Sequence, residues 1–349
     1  MKVSFVSSQA ISQALRYQTN RLQNDLVIAK KELTTMTVAD KGLALGARTG
    51  ISVSMHREID RLEGLKDSNQ LAASRLSQTQ LILQQLNKEA SELTATLTTA
   101  ISGASDPSIA KKAAEGVLSM MSSVLNTNVG GVYLFAGINT DVKPMNDFLD
   151  PASSNRQAFE DAFQTHFGFT PNAPQAADIA AADMTDFLQT MVEPQFLGTG
   201  WNDVWSSATD QQIVSRITLT ETAQTSVSAN IPGFRKLAMA ASTVAALISS
   251  DMSSAASRVV LERAIDLLGE VVNDLANQES ATGITETRID KANDRMSMQI
   301  DLFSRSLIDL EGVDEFAAST KVTGLIAQIE LSYSLTGRIQ QMSLLKYIS

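Results

Sequence analysis

Apolar residues recur every three or four positions through both ends of this chain, and the pattern fails only in the middle. The clearest stretch is Leu62, Asn69, Leu76, Leu83, Ala90 and Leu97, spaced by seven. Leu65, Ala72, Thr79, Leu86, Leu93 and Ala100 follow, each three residues behind. Unbroken heptads of this kind predict one long helix with a left-handed coiled-coil seam. Asn69, at a seam position, either fixes register at a cost in stability or is tolerated near an exposed end.

The same spacing predicts further helices on both sides. Ile11, Leu15, Leu22, Ala29, Leu33 and Met36 place a first helix over about 7–36, with Gln18 and Leu26 near the same stripe. It stops before Val38-Ala39-Asp40-Lys41-Gly42. Asp106-Pro107 opens another helix, since Asp is a favoured N-cap and Pro loses no hydrogen bond at the first helical position. Val132–Ala136, closed by Gly137, reads as a short strand. Ile213, Ser215 and Ile217 alternate as a second, with Thr225–Ser228 as its partner.

After Gly233 the helices return. Phe234, Leu237, Ala241, Val244 and Ile248 line one face, and Leu261, Ile265, Leu268, Val272 and Leu275 the next. Ile289 through Leu310 keep phase with the latter across Gly283, so a single helix is expected despite the cost of an internal glycine. Gly312 is the expected break. The last helix carries Val322, Ile326, Ile329, Tyr333, Thr336 and Ile339 and ends in Leu344-Leu345-Lys346-Tyr347-Ile348.

Composition changes the picture at one place. Segment 141–210 holds 9 of the 18 aromatic residues, both tryptophans and five of the seven prolines. Its 11 acidic against 2 basic residues supply most of the chain's net charge of −10. Its prolines leave room for a long helix only near 176–191, and its aromatics predict a small, separately packed core. The expected fold is mainly α: a long coiled-coil helical rod built from both chain ends, with short β-hairpins and an inserted small α+β head. Residues 1–42 with 312–349 make a terminal coiled-coil domain, 43–140 with 211–311 a helical core domain, and 141–210 the acidic, aromatic-rich head.

Candidate chemistry is sparse. With no cysteine, disulfides, thiolate nucleophiles and cysteine metal sites are excluded. His56 and His166 lack metal-ligand or triad spacing, and His56 reads as a solvated helix residue. No glycine-rich phosphate loop is present, because Gly130-Gly131 lacks the Lys-Ser/Thr that would follow. Asp147/Asp150 and Asp178/Asp183/Asp186 do not match a calcium loop, and helix capping explains Asp309, Glu311, Asp314 and Glu315. Trp201 and Trp205 read as anchors of the head rather than walls of a sugar pocket. The acidic balance argues against nucleic acid. The +4 balance of residues 1–50 is scattered along one helix as a solvated face. No stretch approaches a membrane span and the first ten residues lack a signal-peptide apolar run. Catalytic, cofactor and metal sites are all expected to be absent, as is a small-molecule substrate.

The residues expected to matter are therefore packing and assembly residues: Ile11, Leu15, Leu22, Leu33, Leu62, Leu76, Leu83, Leu97, Val322, Ile326, Ile329, Tyr333, Ile339, Leu344 and Leu345. The terminal helices span about 70 residues yet offer only about a dozen large apolar side chains, too few to offset the entropy of ordering them. They are expected to be wholly or partly disordered in a free monomer and to fold when neighbouring copies cover their second face.

Three stretches carry a resemblance. Val132–Gly137, Thr225–Asn230 through Phe234–Leu237, and the ending Met342-Ser343-Leu344-Leu345-Lys346-Tyr347-Ile348 together resemble the bacterial flagellin superfamily, and within it the hook-associated, junction-type members. The resemblance covers about 1–140 and 220–349. Its terminal tyrosine leans toward the junction type. The chain departs from the family at Val38–Ala47, where a Ser-Gly/Asn/Asp-Asp-rich turn is usual. The resemblance implies a structural subunit, not an enzyme, that joins hook to filament and is exported by the flagellar secretion apparatus without a cleaved signal. It implies terminal helices that form an inner tube, self-association, and contact with the hook-side junction protein and flagellin. An export chaperone would hold residues 313–348. Two alternatives stay open from the sequence: a flagellin that builds the filament itself, and a secreted coiled-coil adhesin or effector.

Overall fold

The heptads from Leu62 to Leu97 lie on one helix, α3 (Thr49–Ile101). The structure, a computed structural model, describes residues 8–249 and 251–348, with side chains for 10–249 and 251–338. It is mainly α, with two small antiparallel sheets. The chain forms two compact units, residues 1–64 with 295–349 and residues 65–294.

In the larger unit, α3 runs antiparallel to α9 (Ser254–Glu311), as successive cross-contacts show. Asn69 Nδ2 donates to Asn293 Oδ1 at 2.8 Å and Gln84 Nε2 to Glu279 Oε1 at 2.7 Å. The seam residues of α3 in this unit, from Asn69 to Ala100, are buried. On α9, Leu261, Leu268, Leu275, Ile289 and Ala292 are buried with them, and the helix passes Gly283 unbroken. Asn69 is a register residue. It is 1% exposed, and its amide also donates to the Ile217 carbonyl at 2.9 Å. That bond pins a hairpin, β3 (Val214–Arg216) and β4 (Thr222–Gln224), onto the helix pair. Ile217 and Ala223 bury their side chains against Ala72, Leu76 and Ile289.

The partner strand lies three residues earlier than the alternation suggested. Thr225 and Ser226 instead cap the hairpin: the Ser226 hydroxyl accepts from the Ile213 amide at 2.8 Å, and the Thr225 and Ser215 hydroxyls are 2.6 Å apart. The chain then runs beside Phe135–Ala136, with Ala229 N–H donating to the Phe135 carbonyl at 2.7 Å. The expected strand at 132–136 is thus two short pairings. Val132–Tyr133 (β2) closes a hairpin with Asn128–Val129 (β1), and Ala136 bridges to Ser228. At Gly137 (φ 69°) a Cβ would collide with Thr209 and the Gln211 carbonyl, so glycine is required there.

Helix α4 (Pro107–Leu125) starts where the Asp106 cap predicts, with the carboxylate accepting from Ser108 N–H at 2.7 Å. It packs on α8 (Pro232–Leu247), whose residues from Leu237 to Leu247 are all buried. A helix apolar on every side belongs inside a core. Its cations sit at the entrance: Lys236 Nζ lies 2.7 Å from Asp274 and 2.8 Å from Glu270, and Arg235 stacks over Trp201.

Segment 141–210 differs from expectation in two ways. It contains α5 (Ser154–Phe167), between Pro151 and Pro171, and then α6 (Ala181–Phe187), a widened turn at Leu188–Val192 and α7 (Glu193–Leu197). Pro194 falls in the first turn of α7, where its missing N–H is harmless. The aromatics do not form a separate core. Phe148, Phe159, Phe163, Phe187, Phe196, Trp201 and Trp205 belong to one continuous apolar cluster with α3, α4, α8 and α9. Trp201 and Trp205 stack in parallel at 5.7 Å, and Phe148 covers Trp205 at 5.1 Å. Both indoles are buried, so neither presents a face to a sugar.

Candidate assembly surface

In the smaller unit, α1 (Ser8–Thr35) and α10 (Glu315–Ile348) pack antiparallel, as two cross-contacts establish. Gln23 Nε2 donates to the Tyr333 hydroxyl at 2.7 Å, and Lys321 Nζ pairs with Glu32 at 3.1 Å. Each helix contributes one narrow stripe. On α1 it is Leu15, Thr19, Leu22, Leu26, Ala29 and Leu33; on α10 it is Ala318, Val322, Leu325, Ile329, Ser332 and Thr336. Both follow a four-three alternation, the signature of a two-helix seam. The seam is thin. Thr19, Ala29, Ala318 and Ser332 are its buried members, and the leucines, valine and isoleucine are only half-buried.

Leu15, Leu22, Leu33, Val322 and Ile329, expected as packing and assembly residues, are half-buried on this seam. Ile326 and Tyr333 are 38% and 56% exposed, and Leu325 and Ser332 take the seam positions beside them. Continuing the four-three alternation from Ala318 and Val322 gives Leu325, Ile329 and Ser332. Choosing the largest apolar residue at each step overshoots by one. Ile11 is 38% exposed. Leu62, Leu76, Leu83 and Leu97 are interior. The side chains of Ile339, Leu344 and Leu345 lie outside the described residues.

What the seam leaves uncovered defines the surface. Tyr17, Val27 and Ile28 on α1 and Phe316, Leu331 and Leu335 on α10 are exposed, with Val27 at 67%, Leu331 at 69% and Phe316 at 84%. Scattered exposed apolar residues are ordinary, but several on the outer faces of a helix pair with so thin a seam mark an incomplete core.

The base of this pair carries the densest electrostatics. Glu311, the last residue of α9, is 2% exposed, a correction to its reading as a cap. Its carboxylate accepts from the Ser52 hydroxyl, lies 2.5 Å from Lys41 Nζ, and lies 3.2 Å from His56 Nε2, which is thus not merely solvated. Burial raises the Glu311 pKa, but hydrogen bonds from Lys41 and Ser52 and the charges of Lys41 and His56 outweigh it, leaving the value below the usual 4.5. Sequence showed only a charge run here, because the partners lie far off in the chain. Among the described residues no group of three or more His, Asp or Glu side chains could hold a metal, and no helix is long and apolar enough to cross a membrane.

The N-terminal helical region of bacterial flagellin matches residues 6–140, and its C-terminal helical region matches residues 265–348. The chain belongs to the bacterial flagellin superfamily. This flagellin-type chain is accordingly a structural flagellar subunit that self-associates, not an enzyme. No curated protein matches its sequence. Its fold is similar to a solved structure from Vibrio parahaemolyticus described as a flagellar hook-associated protein. The TM-score is 0.51 at 9% identity, over 76% of this chain and 97% of that one.

Proposed function

We propose that this flagellin-type chain joins the flagellar hook to the filament. The observation that carries the reading is the fold likeness to a hook-associated protein over 97% of that protein's length. The terminal tyrosine in Leu344-Leu345-Lys346-Tyr347-Ile348 supports it further. In this reading residues 1–42 with 312–349 form the inner, self-associating layer. Residues 43–140 with 211–311 form the surrounding helical layer, and the acidic 141–210 segment faces outward although its core is shared. The chain leaves the cell through the flagellar secretion apparatus, its C-terminal helix held by an export chaperone. Its neighbours are copies of itself, a hook-side junction protein and flagellin.

Electron microscopy of a strain lacking the gene tests the junction role. Bare hooks with filament subunit shed into the medium are expected. Shortened filaments still attached to hooks would instead make the chain a filament subunit.

A further inference from the structure

The link between α1 and α2 (Lys41–Leu45) is short, and a non-glycine residue in it occupies the left-handed region: Met36, φ 54°. A methionine holds that conformation only where its surroundings over-determine it. Here they do. Val313 N–H donates to the Met36 carbonyl at 3.1 Å, and Val38 N–H donates to the Glu311 carbonyl at 2.8 Å, so the 36–38 and 311–313 segments run stitched together. Glu311 therefore acts twice, through its backbone and through its carboxylate, which gathers Lys41 from α2 and Ser52 and His56 from α3.

We propose that Glu311 is the pin of a proton-released clasp that fixes the link from which α1 and α10 depart. With the carboxylate ionised, Lys41 is drawn in, the link is held against the end of α9 and the strained Met36 is kept in place. With the carboxylate protonated, the ion pair to Lys41 is lost and the link opens. The groups facing Glu311 are Lys41 and His56. On the far side of the link Glu32 lies 3.4 Å from the Ala39 amide and pairs with Lys321, and Lys31 Nζ reaches the Ala39 carbonyl at 3.4 Å. A carboxylate with a depressed pKa stabilises the folded form above its unfolded value and loses that contribution as pH falls through the folded value. The clasp is therefore closed at neutral pH and opens in acid, as pH falls through a folded value that lies below the ordinary carboxylate value.

Hydrogen exchange of the full chain, corrected for intrinsic rates, tests this at the Val38 and Val313 amides. Glu311→Gln should raise exchange at both by on the order of ten-fold or more at neutral pH, while amides of residues 65–294 keep their protection. Wild type should show the same loosening in acid, and Glu311→Gln no further change there. Lys41→Met, which keeps the carboxylate but removes its main partner, should move the opening to higher pH, and it decides the matter if Glu311→Gln fails to fold. Unchanged protection in Glu311→Gln at neutral pH would overturn the proposal. So would acid loosening equal in wild type and Glu311→Gln, or an opening pH that Lys41→Met leaves in place.

Discussion

An aspartate at Val27 or at Leu331 is expected to abolish incorporation of the chain into flagellar assemblies while leaving the melting of the monomer unchanged. Both side chains are about two-thirds exposed, at 67% and 69%. Each lies on the side of its helix away from the α1–α10 seam. In the isolated chain a carboxylate there stays in water, so nothing internal is lost. If neighbouring copies cover these faces, as the proposed assembly requires, the same positions become interior, and taking an unpaired carboxylate out of water costs several kcal/mol. About 2.8 kcal/mol already weakens association a hundred-fold. Sedimentation of mixtures with wild-type chain and binding to isolated hooks would report the loss. Undiminished incorporation of both variants would mean that these faces remain in water.

The second large effect lies in the other unit. Phe234 is fully buried in the first turns of α8 and meets Phe135 edge to face, with centroids 5.7 Å apart. Truncation to alanine removes a ring from a close-packed core and leaves a cavity, at a cost of about 3–5 kcal/mol. In a unit of 230 residues each kcal/mol lowers the melting temperature by about 2–4 °C, so a fall on the order of 10 °C is expected. Calorimetry should show it in the transition of residues 65–294. A shift of only a degree or two would mean that the site relaxes around the missing ring.

What the sequence made legible was whatever depends on local period. The α3 heptads, the continuity of α9 through Gly283 and the break at Gly312 are set by spacing and by glycine's backbone cost, all visible within a short window. The phase of α10 was not visible in that way. Its seam uses Ser332 and Ala318, while larger apolar residues such as Tyr333 and Phe316 are exposed, so side-chain size alone misleads about which face packs on α1. The aromatics of 141–210 looked self-contained because they cluster in sequence. They share one cluster with Phe135 and Phe234, which flank the segment, and composition cannot say which side of a boundary a ring packs on. Glu311 was the least legible. A glutamate at a helix end reads as a capping charge, and only the return of Lys41, Ser52 and His56 to that point shows it as a buried one.

A thin seam with uncovered apolar outer faces implies helices completed by neighbours rather than by their own chain. Amide hydrogen exchange on dilute monomer and on assembled material tests this most directly. In the monomer, amides from Ile11 to Leu33 should exchange rapidly while those of α3 and α9 within 65–294 stay protected. On assembly the Ile11–Leu33 amides should become protected as well. Strong and equal protection of Ile11–Leu33 in both states would show that the terminal helices are complete by themselves, and would contradict folding by association.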